Sequence, residues 1–271
     1  MTATAARPSP SPSASPAGLA RRSPTGLRHA VASEWVKVRS VRSTAWTALA
    51  AGALLPVTAV FVAATGSLQP DDTVLGASLT GAALAQVAAA VFGVLAMTGE
   101  VASGTIRTTL AACPRRGTVL GAKAIVTAVV LFVPTLVGSA LAHLVGSAML
   151  AGQGYAPGDP WPALIGIAAC YSVVGVLGLA VGTVVRHSTG GIVAMLALIL
   201  LPQLFGPLFG DLRPWVGGAA PLAALEKLTQ TSDALPEAVG TLGAWPSLAV
   251  VTAYSAAALI GSGALLARRD A

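Results

Sequence analysis

Three histidines, two cysteines and ten carboxylates are what this 271-residue chain offers for metal, nucleophilic or acid–base chemistry. They form no working pattern: there is no His-Glu-x-x-His pair and no paired carboxylates on an inner helix face. Three histidines supply metal catalysis poorly. No Gly-x-x-x-x-Gly-Lys-Ser/Thr phosphate loop occurs, so the chain is not expected to bind and hydrolyse ATP alone. Cys113 lies in a basic loop and Cys170 in an apolar run. A disulfide between them is not expected, and each reads as a small apolar filler.

The elements that hold these residues are lipid-loving. Hydrophobic residues make up 55% of the chain and charged ones 10%, with a mean hydropathy of +0.77, where a soluble domain carries about 25% charged residues. A bilayer core about 30 Å thick takes about 20 apolar residues as helix. Six windows qualify: Thr44 to Thr65, Thr80 to Gly99, Val119 to Leu150, Trp161 to Val185, Gly190 to Phe209 and Trp245 to Ala267. Apart from Lys123 near one end, their interiors carry no charge. The fold class expected is therefore an all-α membrane protein with six transmembrane helices.

Orientation follows from the basic residues, which are retained on the cytoplasmic side during insertion. With both termini inside, fourteen of the sixteen Lys and Arg fall on that side, leaving Arg213 and Lys227 outside with seven acids. Trp46, Trp161, Trp215 and Trp245 fall at span ends, the depth an indole prefers.

Residues 1–26, rich in Ala, Ser and Pro, read as a disordered tail. The first apolar run is too long for the core of a signal peptide. Residues 27–42 read as an amphipathic interface helix, with Leu27, Val31, Trp35 and Val38 on one face and Arg28 and Arg39 bordering it. Glu34 fits that face badly; a pairing with Lys37 three residues on would explain it. Residues 43–271 form the six-span domain. Its second cytoplasmic loop, Gly99 to Ala124, reads as a short amphipathic helix that leaves the membrane and returns, or as a basic loop that only fixes topology. Residues 210–244 form the longest outer segment, and there Leu222, Leu225 and Leu228 mark a short helix over Pro221 to Gln230.

Glu100-x-x-x-Gly104-Thr105-Ile106, then Leu110, a Pro114-Arg115-Arg116 turn and Gly121-x-Lys123 opening the next span, resembles the permease subunits of type 2 ABC (ATP-binding cassette) exporters. Ser33-Glu34-Trp35-Val36-Lys37 resembles the N-terminal interface helix of those permeases. The resemblance implies that residues 100–118 couple to a cytoplasmic ABC ATPase through Glu100, Gly104, Thr105, Ile106, Arg107 and Leu110, with Glu34, Trp35 and Lys37 on the interface helix. It further implies export of an unidentified substrate and a second permease, identical or different. ATP and Mg would sit on the ATPase, with no cofactor on this chain. A bacterial cell membrane is the expected location, and nucleic acid is not an expected partner. The helix of Leu222, Leu225 and Leu228 would be an outer gate, or a surface helix on the outer leaflet.

An energy argument points the same way. Proton- and sodium-driven carriers use ionisable groups at the midplane, which these spans lack. A membrane scaffold and a membrane-embedded enzyme are the alternatives to transport. Gly178 with Gly182, Gly138-Ala142-Gly146, and Ala257 with Gly261 are spaced for close helix approach. Pro56, Pro134, Pro202 and Pro207 are candidate kinks. His143, Gln86, Gln203, Tyr171 and Tyr254 are candidate solute contacts or interhelical hydrogen-bond partners.

Overall fold

Long runs of Ala, Leu and Val have no way to satisfy their backbone in lipid except as helix, and the computed structural model is built from helices. It describes residues 26–40, 42–66, 72–113, 115–206, 208, 210, 213–231, 234 and 236–268. The expected tail, apart from Gly26, lies outside them, as do Pro114 and Pro207. The helices are α1 (Leu27–Ser40), α2 (Arg42–Thr65), α3 (Val74–Ser78), α4 (Ala82–Ala102), α5 (Thr105–Ala112), α6 (Arg116–Met149), α7 (Pro160–Val185), α8 (Ser188–Leu204), α9 (Arg213–Gly218), α10 (Pro221–Thr229), α11 (Pro236–Val239) and α12 (Ala244–Arg268). Pro56, Pro134 and Pro202 are carried inside α2, α6 and α8.

Five helices among the described residues, α2, α4, α6, α7 and α12, are long and apolar enough to cross a membrane. The remaining expected span, Gly190 to Phe209, is shorter than its apolar run. α8 has 17 residues, about 25 Å at helical rise. It stops at Leu204, two residues before a Gly206-Pro207 step that disfavours helix. α8 nonetheless runs between the two ends of the bundle. Ser188 Oγ donates to Thr98 Oγ1 of α4 at 2.9 Å, and Gln203 Nε2 donates to Glu226 Oε1 of α10.

α7 is the central post, its apolar window 72% buried. It lies almost backbone to backbone with α4. A Cβ added to Gly93 would stand 1.9 Å from the Gly175 carbonyl oxygen, and one on Gly178 2.5 Å from that of Ala90. α2 and α6 meet in the same way at Gly52 and Gly138. The small-residue steps therefore serve packing within the chain, except that Gly261 of α12 faces open space. Leu55, Phe92, Leu131, Ile167, Tyr171, Met195 and Leu225 fill the core between these helices.

The segment between α8 and α12 is where structure and a surface-helix reading part. Leu222, Leu225 and Leu228 of α10 are buried in that core, and α10 packs against α7 and α12. A Cβ on Gly166, six residues into α7, would meet Leu228 at 2.5 Å, so α10 sits about 9 Å down that helix. Its leucines face neighbouring helices, and Gln86 of α4 ties its first turn to the bundle, the amide donating to the Pro221 carbonyl at 2.9 Å.

Candidate functional site

α1 buries a charge rather than its apolar stripe. Leu27 and Trp35 are 47% and 41% exposed, while Glu34 is the buried residue of the helix. Desolvating a carboxylate is costly unless it is paired, and Glu34 is paired twice. Its Oε1 accepts from Lys37 Nζ at 2.6 Å and its Oε2 from Lys123 Nζ at 2.6 Å. Both ammonium groups also reach Glu100 Oε1, Lys37 at 3.0 Å and Lys123 at 2.8 Å. Lys37 donates further to Thr109 Oγ1 at 3.0 Å. Two carboxylates and two ammoniums thus join α1, the end of α4, α5 and the start of α6. Burial works against the charge on Lys37, but its bonds to Glu34 and Glu100 outweigh it and raise its pKa above the ordinary lysine value.

Three of the four carboxylate oxygens are used. Glu100 Oε2 is buried with no hydrogen-bond partner among the described residues. Beside the cluster lies a cavity of about 530 Å³, lined by Glu34, Lys37, Phe92, Glu100, Thr105 and Lys123 among others.

The segment after Glu100 turns at Gly104, whose φ of +72° is a left-handed conformation that favours glycine. α5 then presents two faces. Ile106, Leu110 and the following Cys113 are buried against Met97, Val119, Leu120, Leu179 and Leu266. Gly104, Thr105, Arg107 and Thr108 are exposed. Of the six expected coupling residues, Glu100 joins the ion cluster, Ile106 and Leu110 anchor α5 to the bundle, and Gly104, Thr105 and Arg107 face outward. Trp35 stands apart from the cluster that holds Glu34 and Lys37.

Lys123 and Thr109 complete the cluster; in the sequence Lys123 reads as part of the Gly-x-Lys opening of a span and not as a site residue, and Thr109 stands out in no motif. The available signal was a pair of misfits, a carboxylate on an apolar helix face and a lysine inside an apolar run. Among the polar residues of the expected spans, Tyr171 OH donates to the Ala82 carbonyl at 2.9 Å and Gln86 holds Pro221. Gln203 bonds Glu226. His143 Nδ1 and Tyr254 OH are buried without a partner among the described residues. Cys113 and Cys170 are both free and buried.

A family model described as ABC-2 family transporter protein matches residues 27–265, from the first residue of α1 into the last turn of α12. No curated protein matches the chain.

Proposed function

The chain belongs to the ABC-2 transporter family, as a multi-pass membrane permease that partners with an ATPase subunit, and we propose that it forms the export path for a substrate moved by ATP hydrolysis in that separate cytoplasmic subunit. The observation that carries this reading is the mechanical layout around α5. Its outward face, Gly104, Thr105, Arg107 and Thr108, is free to dock. Its inward face grips α4, α6, α7 and α12 through Ile106 and Leu110. The ion cluster meanwhile carries α1 and α6 along with Glu100. A push on α5 would reach every one of these helices without passing through a loop.

α8 acts as the sixth span. Its contacts at Thr98 and Glu226 support a crossing, and the recessed α10 shortens the distance that it must cover. Both termini and α5 lie in the cytoplasm, with α1 at the membrane surface, where its exposed Leu27, Trp35 and Val36 meet lipid. α10, packed between spans and held by Gln86, is the outer gate. A second permease, a copy of this chain or a paralogue, completes the path in a bacterial plasma membrane. ATP and Mg belong to the ATPase.

The test is to co-express the permease with candidate ABC ATPases from its own genome and to purify through a tag on the permease. Co-elution is expected, with ATP hydrolysis by the complex and none by the permease alone. Hydrolysis by the isolated permease, or an ATPase that never associates, contradicts the reading.

A further inference from the structure

A second cavity, about 400 Å³, opens at the α5 end of the bundle, and two arginines from different elements line it. Arg107 stands in the first turn of α5 and Arg186 ends α7. Met97, Val101, Ile106 and Leu266 make its apolar walls. Neither guanidinium has an ion-pair partner among the described residues. α5 also begins with no side-chain cap, so the positive end of the helix adds to the field.

Arg186 is held in an uncommon conformation. Its φ of +57° is a left-handed value, and Gln230 is the only other non-glycine residue among those described with a positive φ. Glycine is the residue that relieves such a position. An arginine kept there at a conformational cost points to a use for its side chain.

We propose that this cavity receives a carboxylate side chain of the ATPase, held between Arg107 and Arg186 with its apolar stem against Met97 and Leu266. The inference rests on the reading that an ABC ATPase docks on α5, and it names the chemistry of that docking. A guanidinium offers a planar fork that matches a carboxylate with two parallel hydrogen bonds. Arg107 moves with α5, while Arg186 is fixed to α7. One acid gripped by both therefore ties the docking helix to the central post at the moment of engagement.

The experiment uses the full-length permease in nanodiscs of phosphatidylethanolamine and phosphatidylglycerol, titrated with the purified ABC ATPase that co-elutes with it. Arg107→Ala and Arg186→Gly are each expected to weaken binding about tenfold or more. Arg186→Gly also removes the backbone strain, so the variant keeps its fold. Because both arginines hold one acid, the double variant should be within about threefold of the weaker single variant. Arg186→Lys should fall between wild type and Arg186→Gly. Arg28→Ala, an exposed charge on α1 outside the cavity, should change binding less than about twofold. Unchanged binding in the two single variants, or an equal loss in Arg28→Ala, overturns the inference and leaves ATPase docking intact. A wild-type permease that binds no ATPase overturns both.

Discussion

Glu34 and Lys123 are each out of place in their own segment, and they are each other's partner across 89 residues. With side-chain exposures of 6% and 5%, neither charge has water to fall back on. Lys123→Met would leave Lys37 alone against two carboxylates, and a buried pair broken from one side costs about 3–5 kcal/mol. The double variant Glu34→Met with Lys123→Met keeps the Lys37–Glu100 pair and should recover most of that loss. Denaturant unfolding in detergent measures both; a double variant no more stable than Lys123→Met would contradict the pairing. Lys37 adds a pH signature. Its folded pKa is raised, so the ammonium it loses last is the folded one. The stabilisation it gives is complete below its unfolded value of 10.5 and fades as pH rises through the higher folded value. The stability gap between wild type and Lys37→Met should therefore be flat from neutral pH to about 10 and close above it. A gap that already closes near neutrality would assign the effect to another group.

At the scale of elements, apolar length makes the crossing helices legible, because lipid leaves the backbone few options. The small-residue spacing is legible as close approach, but which helix is approached is not, since a period of four carries no partner's name. Structure gives that partner: α4 for α7, and α2 for α6. Gly93→Ala should therefore force α4 and α7 apart, because the added carbon meets backbone that cannot rotate away, and overpacking of this kind costs about 1–3 kcal/mol or more. Gly261→Ala, with open space around it, should be neutral or slightly stabilising. Thermal unfolding of the two variants separates them, and equal effects would contradict the packing. Two other features escape pattern reading. Ile106 and Leu110 sit four apart on any docking helix, whether the apolar face is offered to a partner or to the bundle. Leu222, Leu225 and Leu228 show the same stripe whether lipid or protein covers it. The tie that decides, Gln86 to a backbone carbonyl 135 residues away, leaves no trace in spacing. The short α8 is better foreshadowed, since the Gly206-Pro207 step that disfavours helix stands two residues past its end.

Seen whole, the molecule has a charged end and a sealed end, joined by two helices that barely separate. The ion cluster fixes α1, α5 and α6 to the last turn of α4. The first turns of α4 hold α10 through Gln86. Between those points α4 is locked to α7 by Gly93, Gly178 and Gly182. Displacement at Glu100 therefore arrives at Gln86 as motion of a nearly rigid pair, and Gln86 is the hydrogen bond by which α4 passes it to α10. α10 is stapled from its other side as well, where Gln230 exchanges hydrogen bonds with the Asp159 backbone at 3.1 and 3.2 Å. Gln86→Leu leaves the buried Pro221 carbonyl only the Cys170 thiol at 3.9 Å, a loss of about 1–3 kcal/mol, and removes the staple on the α4 side alone. Amide hydrogen exchange should then speed up about tenfold or more across α10 and stay unchanged across α5, because the ion cluster does not depend on that bond. If exchange rises in α5 as well, α4 has shifted as a body and Gln86 is a general packing residue. If it rises in neither, α10 is held by its leucines and Gln230, and coupling between the ion cluster and α10 passes through α7 at Gly166 and Leu228.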